Sequence, residues 1–165
     1  MLVLKFGGAS IGSERTLLNA ITVVAQAARE RPVVIVSAVE GVPDLLQRYA
    51  ESPAERASVG GLVLERHRHL ARMVEVDPAV FDPLLQAWQR QMRADAGKNV
   101  LSGAERDRVL SFGERLSAAM FAAGLKRAGV EATPMVAGDC GFTVEHDIGA
   151  GAPPETYAAL RLNLE

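Results

Sequence analysis

The chain has 165 residues, of which 48% are hydrophobic, and its 18 basic and 20 acidic residues give a formal charge of −2. That length and apolar content suit one folded domain with its own core and exclude an intrinsically disordered chain. The near-neutral balance is spread along the chain, which excludes a global electrostatic drive toward nucleic acid or anionic lipid and leaves small molecules or another protein as the expected partners.

Leu2–Phe6 reads as a short buried strand and Pro32–Ser37 as a second, because both are continuous aliphatic or β-branched runs rather than alternating ones. Between them Leu17, Leu18, Ile21, Val24, Ala25 and Ala28 fall on one helical stripe, with Ser13 as N-cap and Glu14 favourable to the helix dipole. The three elements form a βαβ unit. The loop 38–44 leads into a short helix that ends near Pro53. A longer helix follows, with Val59, Leu62, Val63, Leu70, Met73 and Val74 expected inward, and then another carrying Val80, Phe81, Leu84, Leu85, Trp88 and Met92. Ser102 and Glu105 have capping-box spacing and open a helical region in which Gly113 marks a break or a close contact. Leu116, Met120, Phe121 and Leu125 continue its buried stripe to Gly129. Val130–Val136 resembles a third strand, weakened by Pro134, and a short strand or hairpin is expected at Phe142–Val144 within the glycine-rich remainder.

The layout predicts an α/β protein with a small, mostly parallel sheet of three or four strands and helices on its faces. Such a sheet leaves an open edge that a second copy or the other half of a larger domain should cover. Cys140 is the single cysteine and has no disulfide partner, the N-terminus lacks a charged leader and signal core, and no apolar run is long enough to span a bilayer. A cytoplasmic protein without a membrane role is expected, and Leu164–Glu165 receive no functional weight.

The residues with chemistry begin at the first strand. Lys5 ends it, Gly7 and Gly8 follow, and a helix starts at Ser13, so an ammonium and closely approachable backbone N–H groups form a cradle for phosphate oxygens. The order differs from the P-loop, in which lysine follows the glycines. His67 and His69, flanked by Arg66 and Arg68, read as a solvated basic face rather than a metal site. Asp139, Cys140 and His146 lack an identifiable orienting group, so Cys140 reads as a small packed residue rather than a nucleophile. Trp88 reads as helix packing.

Three ordered stretches carry a resemblance: Lys5-Phe6-Gly7-Gly8-Ala9-Ser10, Val36 through Leu46, and Phe112-Gly113-Glu114-Arg115-Leu116-Ser117. Together the sequence resembles the N-terminal part of the aspartokinase catalytic domain, of the amino-acid kinase family, along its whole length. The resemblance implies an α/β/α three-layer sandwich of which this chain is the N-terminal half, with ATP and Mg²⁺ as cofactors. It also implies phosphoryl transfer to the side-chain carboxylate of aspartate. On that basis Lys5 would spread the charge of the transferring phosphoryl group, and Gly7, Gly8 and Ser10 would line the phosphate loop. Ser37 would lie near the phosphates or the acceptor carboxylate, and Glu114 would bind the substrate amino group; no metal ligand is assigned.

The chain departs from the family at Ala9, where threonine or serine is usual, and at Pro43, where a hydroxyl residue contacts substrate. It also places Val144-Glu145 where the family often has Thr-Asp. The resemblance further implies that a nucleotide-binding half and regulatory domains lie outside these residues. The chain alone is therefore expected to be inactive or incomplete, working as a homo-oligomer or with a separate C-terminal half. Two other readings stand beside it: a degenerate kinase fragment that dimerises or binds a partner, and a kinase for another small acid.

Overall fold

The computed structural model describes residues 1–136 and the strand residues 142–144 and 160–162. Strand β1 (Val3–Phe6) lies parallel to β2 (Val33–Val36), with Val3 opposite Val33 and Phe6 opposite Val36. Helix α1 (Glu14–Gln26) connects them. Its N-cap is Ser13, whose Oγ accepts from the Thr16 N–H at 3.3 Å while Thr16 Oγ1 accepts from the Ser13 N–H at 3.1 Å. Four more helices follow: α2 (Val42–Glu51), α3 (Arg56–Met73), α4 (Pro78–Asp95) and α5 (Gly103–Arg127). The expected capping box opens α5, with Ser102 N–H donating to Glu105 at 2.8 Å and Glu105 N–H donating to Ser102 Oγ at 3.3 Å. Strand β3 (Phe142–Val144) appears where a strand is expected and pairs antiparallel with β4 (Leu160–Leu162). Among the described residues no helix is long and apolar enough to cross a membrane.

The core lies between the inner face of β1–β2 and the helices. Leu4, Phe6, Val34 and Val36 pack against it, and the Phe6 ring meets Phe121 of α5 at 5.5 Å. Trp88 of α4 is fully buried between Tyr49 and Phe112, with ring centroids 5.0 Å away in each case, and its Nε1–H donates to the Gly60 carbonyl at 3.0 Å. The indole therefore buries its large surface without leaving its polar atom unpaired. A buried polar cluster ties the helix ends together. Asp95, fully buried, accepts from the Tyr49 hydroxyl at 3.2 Å, from Gln91 and from Lys98. The Arg56 guanidinium donates to the carbonyls of Tyr49, Ala50, Asp95 and Lys98. Desolvation by burial, then the Asp95 charge, pushes the Tyr49 phenol well above its ordinary range.

Several expectations are corrected. Val130–Val136 is not a strand: the Val130 N–H closes the end of α5 by bonding the Leu125 carbonyl at 2.9 Å, and Pro134 has no donor for a ladder. Among the described residues the parallel sheet is thus a pair rather than three or four strands. Its strands are not buried on both faces, since Val3, Val33 and Ile35 are each about half exposed. Gly113 does not break α5, which is continuous through it. Leu18, Leu62 and Met73 face solvent. Each sits next to a buried residue, Leu17, Val63 or Val74, and one step along a helix turns a side chain by about 100° away from its neighbour's contact face. The side chain of Val80 and residues Asp139, Cys140, Glu145, His146, Leu164 and Glu165 lie outside the described residues.

His67 is also corrected, because it is wholly buried rather than solvated, whereas His69 is exposed as expected. Its Nδ1–H donates to the Val63 carbonyl at 2.8 Å, and Nε2 is buried with no partner among the described residues. Burial foremost, aided by the Arg66 charge and opposed by the Val63 bond, lowers the His67 pKa from 6.5 to about 4. The unfolded chain therefore takes up a proton at higher pH than the folded one. The stabilising effect of a neutral His67 is complete above about pH 6.5 and is lost as pH falls toward about 4. The full loss is roughly 3 kcal/mol. Urea unfolding of the wild type and His67→Leu at several values between these limits checks this, with a flatter pH dependence expected for the variant.

Candidate functional site

The site is built around the segment that leaves β2. Parallel pairing continues one step past the strands, where the Ser37 N–H donates to the Phe6 carbonyl at 3.0 Å, so Ser37 stands beside the exit of β1. Lys5 is exposed at the end of β1. Gly7 follows in extended backbone, and residues Gly8–Ile11 form one 3₁₀ turn in which the Ser10 N–H donates to the Gly7 carbonyl at 2.9 Å. The Lys5 ammonium lies beside Gly7, with Nζ 3.6 Å from the position a Cβ would occupy on it. Lys5, Gly7, Gly8, Ser10 and Ser37 are therefore gathered at the carboxyl ends of two parallel strands, where α/β folds place their ligand crevices.

The glycine turn and the segment 37–40 touch backbone to backbone. The Glu40 N–H donates to the Gly8 carbonyl at 3.3 Å. A Cβ on Gly8 would stand 2.7 Å from the Ala38 carbonyl oxygen and 3.2 Å from the Glu40 nitrogen, closer than packed atoms tolerate. Arg66 of α3 fastens the far end of the turn, donating to the Gly12 carbonyl at 2.7 Å. On its other side the same segment meets α5, where a Cβ on Gly113 would lie 2.7 Å from that of Ala38. The close contact expected of Gly113 is thus its actual role. One residue beyond it, Glu114 is exposed and has no ion-pair partner among the described residues. Arg115 instead stacks its guanidinium 4.7 Å from the Phe112 ring centre.

Glu114 borders an open cleft of about 530 Å³ between α2 and α5, together with Pro43, Asp44, Gln47, Asp107 and Ser111. The Pro43 ring stands in the cleft at the start of α2, which Gly41 opens from a left-handed conformation at φ 78°. Lys5, the glycine turn and Ser37 are not part of this lining; Lys5 and the glycine turn lie across the segment 37–40, which brings Ala38 into the cleft wall. Ser117 carries no role legible in the sequence, yet its fully buried Oγ accepts from the Val39 N–H at 3.1 Å. A serine in an otherwise apolar helix stripe was the available signal.

Among the described residues no group of three or more His, Cys, Asp and Glu is placed to hold a metal. Mg²⁺ in phosphoryl-transfer sites is held by one or two carboxylates, water and the nucleotide phosphates. No donor set that would fix it by protein ligands is assembled in the described part of this chain.

The amino acid kinase family model matches residues 1–161. The chain belongs to that family. It is 29% identical to chloroplastic aspartokinase 1 of Arabidopsis thaliana, over 98% of this chain and 30% of that protein. It is 30% identical to the aspartokinase of Chlamydia muridarum, over 72% of this chain and 26% of that one. Among solved structures it resembles E. coli aspartokinase III in complex with aspartate and ADP, with a TM-score of 0.66 and 26% identity over 81% of this chain and 30% of that chain. The fold is that of the aspartokinase-like members of the family, an α/β arrangement in which parallel β1 and β2 carry the glycine turn. The chain spans less than a third of the length of these relatives.

The two loop glycines are not equivalent. Gly8→Ala would place a methyl group against backbone that cannot move without disturbing β2, at a cost of about 1–3 kcal/mol. Gly7→Ala meets only the flexible Lys5 ammonium at ordinary distance and is expected to melt within a few degrees of the wild type. Thermal unfolding of the two variants checks the difference.

Proposed function

We propose that this chain is the phosphate-facing and amino-acid-facing part of an aspartate kinase, which transfers the γ-phosphoryl group of ATP to the side-chain carboxylate of aspartate. The observation that carries the proposal is the convergence of three distant stretches on the segment 37–40. Gly8 lies against it from one side and Gly113 from the other, so that Lys5 and Glu114 flank a common wall. The likeness to E. coli aspartokinase III, which was crystallised with aspartate and ADP, supports the choice of ligands.

In this reading the Lys5 ammonium meets the transferring phosphoryl group, and the backbone of Gly7, Gly8 and Ser10 approaches its oxygens. Ser37 offers a hydroxyl between phosphate and acceptor. Glu114, on the cleft wall without an ion-pair partner among the described residues, takes the α-ammonium of aspartate. Such a site works by positioning and by spreading charge, which is what phosphoryl transfer asks of a protein. Bound Mg²⁺ would neutralise nucleotide phosphate charge. The adenine and ribose pocket and the ligands of that metal are proposed to come from outside the described residues, in the same polypeptide or a separate one, and regulatory domains likewise.

Pro43 supports a second reading, a kinase for another small acid. Its ring lines the cleft and presents neither a hydroxyl nor an N–H, so one hydrogen bond usual for aspartate in the family is missing. A lost donor to a charged group costs about 1.5–3 kcal/mol. Competition by other amino and dicarboxylic acids distinguishes the two.

Isothermal calorimetry with aspartate and with Mg²⁺-ATP on the wild type, Lys5→Ala and Glu114→Ala tests the proposal. Glu114→Ala is expected to weaken aspartate by roughly 10- to 100-fold with little effect on nucleotide, and Lys5→Ala to do the reverse. A folded wild-type chain that gives no heat with either ligand would sink it.

A further inference from the structure

Ser117 lies one turn beyond Gly113 on α5, among Leu116, Met120 and Phe121, and is as buried as they are. A hydroxyl at such a place is unfavourable unless it is bonded, and alanine would fill the space without that cost. Its use is the Val39 N–H, a bond that spans 78 positions of sequence.

The bond falls at a particular point. Along the segment that separates the two halves of the site, the Ser37 N–H is held by Phe6, the Val39 N–H by Ser117 and the Glu40 N–H by Gly8. The first and third bonds join the segment to β1 and the glycine turn. Only the second joins it to α5, the helix that carries Glu114; the other contacts with α5, through Ala38 and Gly113, are apolar and set no direction. The Val39 carbonyl meanwhile accepts from the Val42 N–H at 2.9 Å at the start of α2, so the same residue also fixes the Pro43 side of the cleft.

We propose that Ser117 is a positioning residue that sets the spacing between the Glu114 wall and the Lys5–Gly8 turn, acting through Val39 and Glu40. The proposal rests on the preceding reading that Glu114 and Lys5 hold the two reactants. In-line transfer between them tolerates little displacement, and a directional bond at the shared wall is a means of limiting it.

Amide hydrogen exchange on the full chain tests this without requiring turnover, using the wild type, Ser117→Ala and Ser117→Thr. In Ser117→Ala the Val39 and Glu40 amides are expected to exchange roughly tenfold faster, while those of Met120 and Leu125 within α5 stay near their wild-type rates. Ser117→Thr, which keeps the acceptor oxygen, restores slow exchange at both. With saturating aspartate, the Glu40 amide slows further in the wild type but not in Ser117→Ala. Unchanged Glu40 exchange in the alanine variant overturns the proposal. So does an equal acceleration throughout α5, which would mark a loss of overall stability instead. If the alanine variant does not fold, Ser117→Cys, with its weaker acceptor, is judged by the same criteria. Failure of aspartate to bind the wild type refutes the ligand assignment, while the ligand-free exchange still decides the role of Ser117.

Discussion

The candidate site depends on how closely the backbone at residues 37–40 can be approached from both sides. A glycine turn lies on one face of this segment and the middle of a 25-residue helix on the other, and each approach is closer than a Cβ would permit. Gly8 and Gly113 are unlike in local structure, one in a 3₁₀ turn and one in a regular helix. They answer the same steric demand, because both stand where another chain segment takes the place of a side chain. The loop after β2 is thereby enclosed by its neighbours, and the N–H groups of Ser37, Val39 and Glu40 are committed, which keeps this short connection in one geometry.

The helices behind this segment need a rigid frame of their own, since a two-stranded sheet supplies little. Trp88 fills the space between α2 and α5, and the cluster of Tyr49, Arg56 and Asp95 ties the end of α2 and the start of α3 to the end of α4. A buried carboxylate and a buried guanidinium are costly to desolvate, and here each is surrounded by hydrogen-bond partners. Lys98 and Glu105 extend the cluster to the first turn of α5, where the Lys98 ammonium and the Ser102 cap draw the Glu105 carboxyl down to about 2. The same polar group of residues thus fixes the end of α2 and the start of α5, the two helices that form the cleft.

The two faces of β1–β2 have different fates. One is sealed by Phe6 and Phe121, whereas the other leaves Val3, Val33 and Ile35 half exposed beside Lys5. Lys5 alternates with Leu4 and Phe6 along the strand and so stands on the open face. An ammonium there remains accessible to an anion, which the packed face would not allow.

The βαβ start, both serine caps, the apolar positions around Trp88 and the residues that mark the family are legible in the sequence. Each of these is a local signal: a run of β-branched residues, a serine three places before its partner, a 3.6-residue period, or a motif in order. It misread His67, whose arginine neighbours suggest solvent although its own ring points inward. It also misread Val130–Val136, whose composition suits a strand that finds no ladder to join. That Gly113 serves contact rather than interruption, that Ser117 reaches Val39, and that Pro43 and Glu114 share a cleft follows from the packing of distant segments alone. Those facts depend on which surfaces meet across as many as 78 positions, and local propensity carries no information about a partner that far along the chain.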